Sequence, residues 1–188
     1  MHSIKYYLDS VLCKIFILSS RGKGHYKLNG MPAYCLQAGV VQNVEVISGG
    51  VSVFRKEILK HFIFDGNMKT YCYMEDADMG YRISRTHQNA FLPTARVWHH
   101  HSSSGRLGVS TTKSQFIQNY FYLFRKNVPR NLWTVSAFIW SIAGLFVIAA
   151  CELQFRAMRG YIAGLRKGIF CQYDSLFPDW RENMILYK

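Results

Sequence analysis

Between Arg130 and Glu152 the chain runs NLWTVSAFIWSIAGLFVIAAC without a single charged residue. No other feature constrains the fold as tightly. About 20 apolar residues, rising about 1.5 Å each in an α-helix, match a hydrocarbon core about 30 Å thick. Trp133 near one end, with Arg125, Lys126 and Arg130 just outside, has the placement of interfacial anchors. A soluble domain of this size seldom encloses a helix on every side. The expectation is therefore a membrane-embedded helix over residues 131–151, either transmembrane or re-entrant, and Ser136, Ser141 and Gly144 keep both forms open.

The flanks say less about orientation. Arg125, Lys126 and Arg130 precede the segment, and Arg156, Arg159, Arg166 and Lys167 follow it. Basic residues on both sides give the positive-inside rule nothing to choose between, but they suit a chain lying against anionic lipid. The stretch RAMRGYIAGLRKGIF has the pattern of an amphipathic interfacial helix, so residues 152–188 are expected to form a basic interfacial tail. The one N-terminal apolar run, Val11–Leu18, is interrupted by Lys14 and has no small-residue cleavage site. The polar part is thus expected to stay on the cytoplasmic face of the membrane.

Composition removes several classes. With 188 residues, 49% of them hydrophobic and only 18% charged, the chain can bury a core and is not disordered in bulk. The five cysteines (13, 35, 72, 151 and 171) are odd in number and never spaced C-x-x-C, which argues against a disulfide scaffold and a zinc site. Reduced thiols fit a cytosolic face. Of the net +12, residues 1–130 carry +10, from 17 basic and 7 acidic residues. The basic residues are dispersed and no nucleic-acid motif accompanies them, so phosphate-bearing small molecules and a lipid surface are the preferred partners, not nucleic acid.

Residues 1–45 are weakly patterned, with a turn signal at Arg21–Gly24 and a break at Gly30–Pro32. Residues 46–100 alternate apolar runs with turn residues, as in α/β organisation. Val44–Ser48 reads as a short strand ending in Gly49-Gly50, where the backbone can turn sharply or admit a ligand, and VSVFRKEILKHF then turns helical. In YMEDADMGYRISR, Glu75, Asp76 and Asp78 open a helix and Arg82 and Arg85 close it. Acids at a helix start complement its positive end. They could serve only as caps, or one of them could be a general base beside a glycine turn. Ala95–Trp98 reads as a strand leading into His99-His100-His101. Adjacent histidines do not converge on one ion, so either one of them joins distant carboxylates around a divalent metal or the run is simply solvated. Lys113–Lys126 is aromatic and helical in period.

The ordered set ISGGVSVFRKEIL, FDG, YMEDADMGYRI and PTARVWHHHSSSGR resembles the C-terminal half of family-2 glycosyltransferases of the GT-A fold. Those resembling bacterial rhamnosyltransferases and other cell-surface-polysaccharide transferases are the most similar. The strong part covers Val46–Arg106, and a weaker likeness continues through Asn119–Asn127 into the apolar tail. The resemblance implies an α/β, partial GT-A (Rossmann-like) domain over residues 1–130 followed by the membrane-embedded helix. It implies inverting transfer of a sugar from a nucleotide-sugar donor to a lipid-linked glycan acceptor in cell-surface polysaccharide synthesis. Gly49 and Gly50 would line the sugar site. Glu75 and Asp76 would be the Glu-Asp motif, with Asp76 the general base. His99 would help hold a divalent cation, Mn²⁺ or Mg²⁺, at the donor pyrophosphate. Arg106 and Arg82 would add fixed positive charge near phosphate.

Two departures stand beside this likeness. The family pattern Phe-Asp-Glu is Phe64-Asp65-Gly66 here, and residues 1–45 hold a single aspartate, Asp9, with no Asp-x-Asp after an apolar strand. Asp76-Ala77-Asp78 lies inside the Glu-Asp segment and does not supply that motif. The chain is accordingly expected to be the C-terminal portion of a glycosyltransferase, acting either with a separate N-terminal half that binds the nucleotide or as part of a longer chain. The alternative is a non-catalytic, membrane-tethered remnant or accessory protein that keeps the acceptor-side fold. A basic membrane-surface binding module is a third, weaker option.

Overall fold

A computed structural model describes residues 2–68, 73–98 and 107–170. The chain is mixed α/β, with helices dominant. Helix α1 (His2–Ile15) is followed by three short strands, β1 (Arg21–Gly22), β2 (His25–Tyr26) and β3 (Pro32–Cys35). Strand β3 lies between the other two, parallel to β1 and antiparallel to β2. Strand β4 (Gln42–Val44) leads to a 3₁₀ turn at Gly49–Val51, helix α2 (Lys56–His61), helix α3 (Glu75–Ser84) and strand β5 (Asn89–Phe91). Three long helices follow: α4 (Val109–Asn127), α5 (Leu132–Cys151) and α6 (Phe155–Phe170).

Of two expected strands, one is displaced and the other does not form. Strand β4 ends at Val44, where the sequence pattern placed a start, because its antiparallel partner β5 pairs Val44 with Asn89 and extends no further. Beyond that point the amides of Glu45 and Val46 bond to the Gly24 carbonyl instead. The second expected strand, Ala95–Trp98, is absent. A turn in which Ala95 N bonds Leu92 O, with Pro93 inside it, separates β5 from residues 95–98, and these are exposed without a ladder. The helical reading after Gly49-Gly50 holds only for the six residues of α2.

Helix α5 follows from its sequence directly. Asn131 and Thr134 form a reciprocal capping box at its start, satisfying two otherwise orphan amides. It is the one described helix long and apolar enough to cross a membrane by length and composition, with a mean hydropathy of 2.1. Its inner side is anchored to the rest of the chain. Phe138 stacks on Phe124 at 4.2 Å between ring centroids and meets Phe121 edge-on at 4.8 Å. At mid-helix the Ser141 hydroxyl accepts from Asn29 Nδ2 at 2.5 Å and donates to the Phe16 carbonyl at 2.8 Å. Asn29 is fully buried, and its own carbonyl accepts from Tyr120 Oη at 2.8 Å. One core cluster therefore runs from Phe16 through α4 and α5 to Tyr161 of α6, across all three segments the sequence divides.

Helix α6 lies closely along α4 through Gly160, Gly164 and Gly168, which recur every four residues and so share one face. A Cβ on Gly164 would stand 2.6 Å from the Ser114 carbonyl oxygen, a backbone atom that cannot move aside cheaply. Gly164→Val should thus force the two helices apart and cost about 1–3 kcal/mol, as overpacking typically does. Thermal unfolding followed by circular dichroism should show a lowered midpoint. An unchanged midpoint would mean that α4 and α6 do not pack at this distance.

Candidate active site

Helix α3 is built to lie on the backbone that follows β4. Gly80 makes this possible, since a Cβ there would stand 2.9 Å from the Ile47 amide nitrogen and 2.7 Å from its Cγ1. Ala77, Met79 and Ile83 bury the same helix in the core. Its first turn starts after Met74, a non-glycine residue held in the left-handed region (φ 69°). Such a conformation is uncommon and turns the chain sharply into the helix.

That placement brings Asp76 and Gly49 together. The Gly49 amide donates to Asp76 Oδ2 at 2.7 Å. The Tyr34 hydroxyl, from β3, donates to Oδ1 at 3.0 Å, and the Ala77 amide donates to the same oxygen at 2.8 Å. Burial first, then the charge of Asp76, pushes the Tyr34 phenol far above its ordinary pKa, so it remains a donor. A carboxylate offers about four lone-pair positions. Among the described residues three are taken, and the last lies on Oδ2, the oxygen at the glycine turn. Gly49 also needs its missing side chain, because a Cβ would stand 3.1 Å from Asp76 Cβ. Gly50 is exposed in the same turn, and Glu75 is half-buried at the first helical position.

Two residues along, and on a different side of the helix, Asp78 has a different part. It is completely buried and surrounded by cations and amides. Arg82 Nε lies 2.9 Å from Oδ2, Lys126 Nζ 2.8 Å from Oδ1, and Asn127 Nδ2 donates to Oδ1 at 3.0 Å. Lys126 also reaches Asp65 Oδ2 at 2.7 Å, where Tyr122 Oη donates at 2.5 Å. Arg82 further donates to the Ile63 carbonyl at 2.7 Å. The guanidinium expected near phosphate is thus engaged with Asp78 and Ile63. This network ties α3 to the end of α4 and to the 63–67 loop.

His99 and Arg106 lie outside the described residues. Among those described, no group of three or more His, Cys, Asp or Glu side chains gathers as a metal site would. The oxygens of Asp76 face N–H and O–H donors, and those of Asp65 and Asp78 face Lys126 and Arg82. The described donor set therefore does not by itself fit a divalent cation, and no step below passes through one. An open depression of about 510 Å³, lined by Leu36, Gln37, Gly39, Phe91 and Arg96 among others, flanks β5 but includes neither Asp76 nor Gly49.

Tyr34, Lys126 and Asn127 carry no sequence signal as members of a site, since they stand 42, 48 and 49 residues from their carboxylate partners along the chain. Only the i, i+4 spacing of Asp78 and Arg82 could have been read. No protein-family model, curated protein or solved structure matches this chain.

Lys126→Met should leave Asp78 and Asp65 without their shared cation and cost about 3–5 kcal/mol at neutral pH, as breaking a buried pair does. Burial works against the Asp65 charge, but hydrogen bonds from Lys126, Tyr122 and Asn67 outweigh it and hold its pKa down at about 2. A depressed folded value adds stability above the ordinary carboxylate range, near pH 4, and loses it as pH falls toward 2. Chemical unfolding at several pH values should show native stability falling through that window, with a shallower fall in the variant. Equal stability of the two chains at pH 7 would contradict the network.

Proposed function

We propose that this chain forms the acceptor side of an inverting glycosyltransferase, with Asp76 as its general base. The observation that carries this reading is the Asp76 carboxylate itself. It is oriented by Tyr34, Ala77 and Gly49, and the described residues leave one lone pair of Oδ2 open at a glycine turn. Direct displacement at an anomeric carbon requires such a group. The acceptor hydroxyl oxygen forms the new bond to that carbon, and its proton passes to Asp76 Oδ2. The bond to the nucleoside diphosphate breaks, and the electron pair leaves with the diphosphate.

The remaining roles follow from position. Gly49 and Gly50 present bare backbone against which a sugar ring can lie, and Glu75 sets a second carboxylate beside the base. The N-terminal end of α3 directs positive partial charge toward the same place, which favours the departing anion. The divalent cation and the further phosphate contact belong in this reading to His99 and Arg106. The uncharged helix α5 and the basic helix α6 support a membrane setting, and with it a lipid-linked glycan acceptor.

Asp76→Asn keeps the size of the side chain and its accepting oxygen, so the fold should survive. Transfer from a panel of nucleotide sugars to lipid-linked acceptors should fall by about 10²–10⁴, the usual contribution of a general base. Circular dichroism should be unchanged. Full transfer by this variant would remove the assignment of Asp76. Absence of transfer by the native chain across the panel would favour the remnant or accessory-protein alternative.

A further inference from the structure

Helix α5 has two sides that never mix. Thr134, Phe138, Ser141, Gly144, Leu145 and Ala149 are buried against the chain from the first turn to the last. Leu132, Ser136, Ile139, Ala143, Val147 and Ala150 form the opposite, exposed stripe, with Trp133 and Trp140 along its edge. Leu132 is 76% exposed, Trp133 74% and Ile139 61%, and no charge interrupts them. An uncovered apolar stripe this long marks a contact surface.

A helix crossing the bilayer would carry its middle to the bilayer centre. The middle of α5 is tied to the end of α1 and the run that follows it: Trp140 Nε1 donates to the Ile15 carbonyl at 2.9 Å, and Ser141 bonds Phe16 and Asn29. Crossing would therefore take the non-helical run after α1, including the turn at Ile17 (φ 57°), to mid-membrane, together with exposed Lys14. A lysine at that depth is costly.

The next helix specifies the kind of surface. The glycine face of α6 is fixed on α4, which leaves Phe155, Ile162 and Ile169 exposed in a row spaced by seven residues. Arg159 and Arg166 run beside that row, with Arg156 and Lys167 next to them, all exposed. No acidic residue occurs between Phe155 and Phe170. An apolar row bordered by four cations and no anion is complementary to a negatively charged bilayer interface.

We propose that α5 and α6 attach the protein to one leaflet of an anionic membrane without crossing it. The outer stripe of α5 lies in the interfacial plane, and the basic face of α6 engages lipid phosphates. Attachment is independent of sugar transfer, so its failure and the failure of the catalytic reading are separate results.

The test is depth measurement by electron paramagnetic resonance, with the full chain reconstituted into phosphatidylcholine vesicles containing phosphatidylglycerol. Spin labels enter at Leu132→Cys, Ala143→Cys or Ala150→Cys in a chain whose native cysteines are replaced. Quenching of Trp133 and Trp140 by brominated lipids, in a chain that keeps its cysteines, supplies a second reading. All three labels should sit at one shallow depth, although the first and last are about 27 Å apart along the helix. A deep Ala143 label between shallow ends on opposite sides would overturn the proposal in favour of a spanning helix. Spin–spin broadening without lipid contact would overturn it in favour of a second copy. Replacing Arg156, Arg159, Arg166 and Lys167 with Gln should weaken binding to the anionic vesicles by on the order of a thousandfold. Unchanged binding would exclude the anionic surface.

Discussion

The buried carboxylate of Asp78 is the constraint on which the rest of the polar region depends. A charge wholly removed from water is tolerated only when it is paired and fully hydrogen-bonded. Arg82, Lys126 and Asn127 meet that requirement together, and Lys126 extends it to Asp65. Because those partners come from α3, α4 and the 63–67 loop, satisfying one aspartate fixes three pieces of chain that local propensity leaves independent. Helix α3 is then held at both faces, by the charges on one side and by Gly80 against Ile47 on the other. Its first turn has little freedom, and Asp76 is presented to Gly49 as a consequence.

Much of the helical half was legible in the sequence, for clear reasons. An uncharged run bounded by Arg130 and Glu152 has few alternatives to a helix, and the structure gives it as Leu132–Cys151. The period of Lys113–Lys126, the basic amphipathic stretch after Glu152 and the acid-first, arginine-last order of α3 were equally direct. The strands were not. None of the described strands exceeds four residues, too few for alternation to register, and their limits are set by partners elsewhere in the chain. Strand β4 stops because β5 stops, and the apolar run Ala95–Trp98 lost its strand to the turn around Pro93. At the candidate site, the resemblance drew attention to Gly49 and Asp76, which the structure sets in contact. Tyr34 and Lys126 act across more than forty residues, a distance no motif spans.

The two proposed surfaces share a mechanical base in α4. One end of it, at Lys126 and Asn127, secures the helix that bears Asp76. Its middle carries Tyr120 and Phe124 against α5, and its first half receives the glycines of α6. Asn29 joins the same elements, with Ser141 on one side and Tyr120 on the other. A protein attached by α5 and α6 would consequently hold its carboxylate at a set position relative to the lipid surface, suited to an acceptor that is itself anchored there.

The most direct measurement is calorimetric titration of the detergent-solubilised chain with a panel of lipid-linked glycan acceptors, in parallel with Gly49→Val. The Gly49–Asp76 site predicts binding of at least one acceptor by the native chain and its loss in the variant, whose side chain occupies the turn against Asp76. Heat of binding that is identical in both chains, or none from any acceptor with either chain, would contradict it.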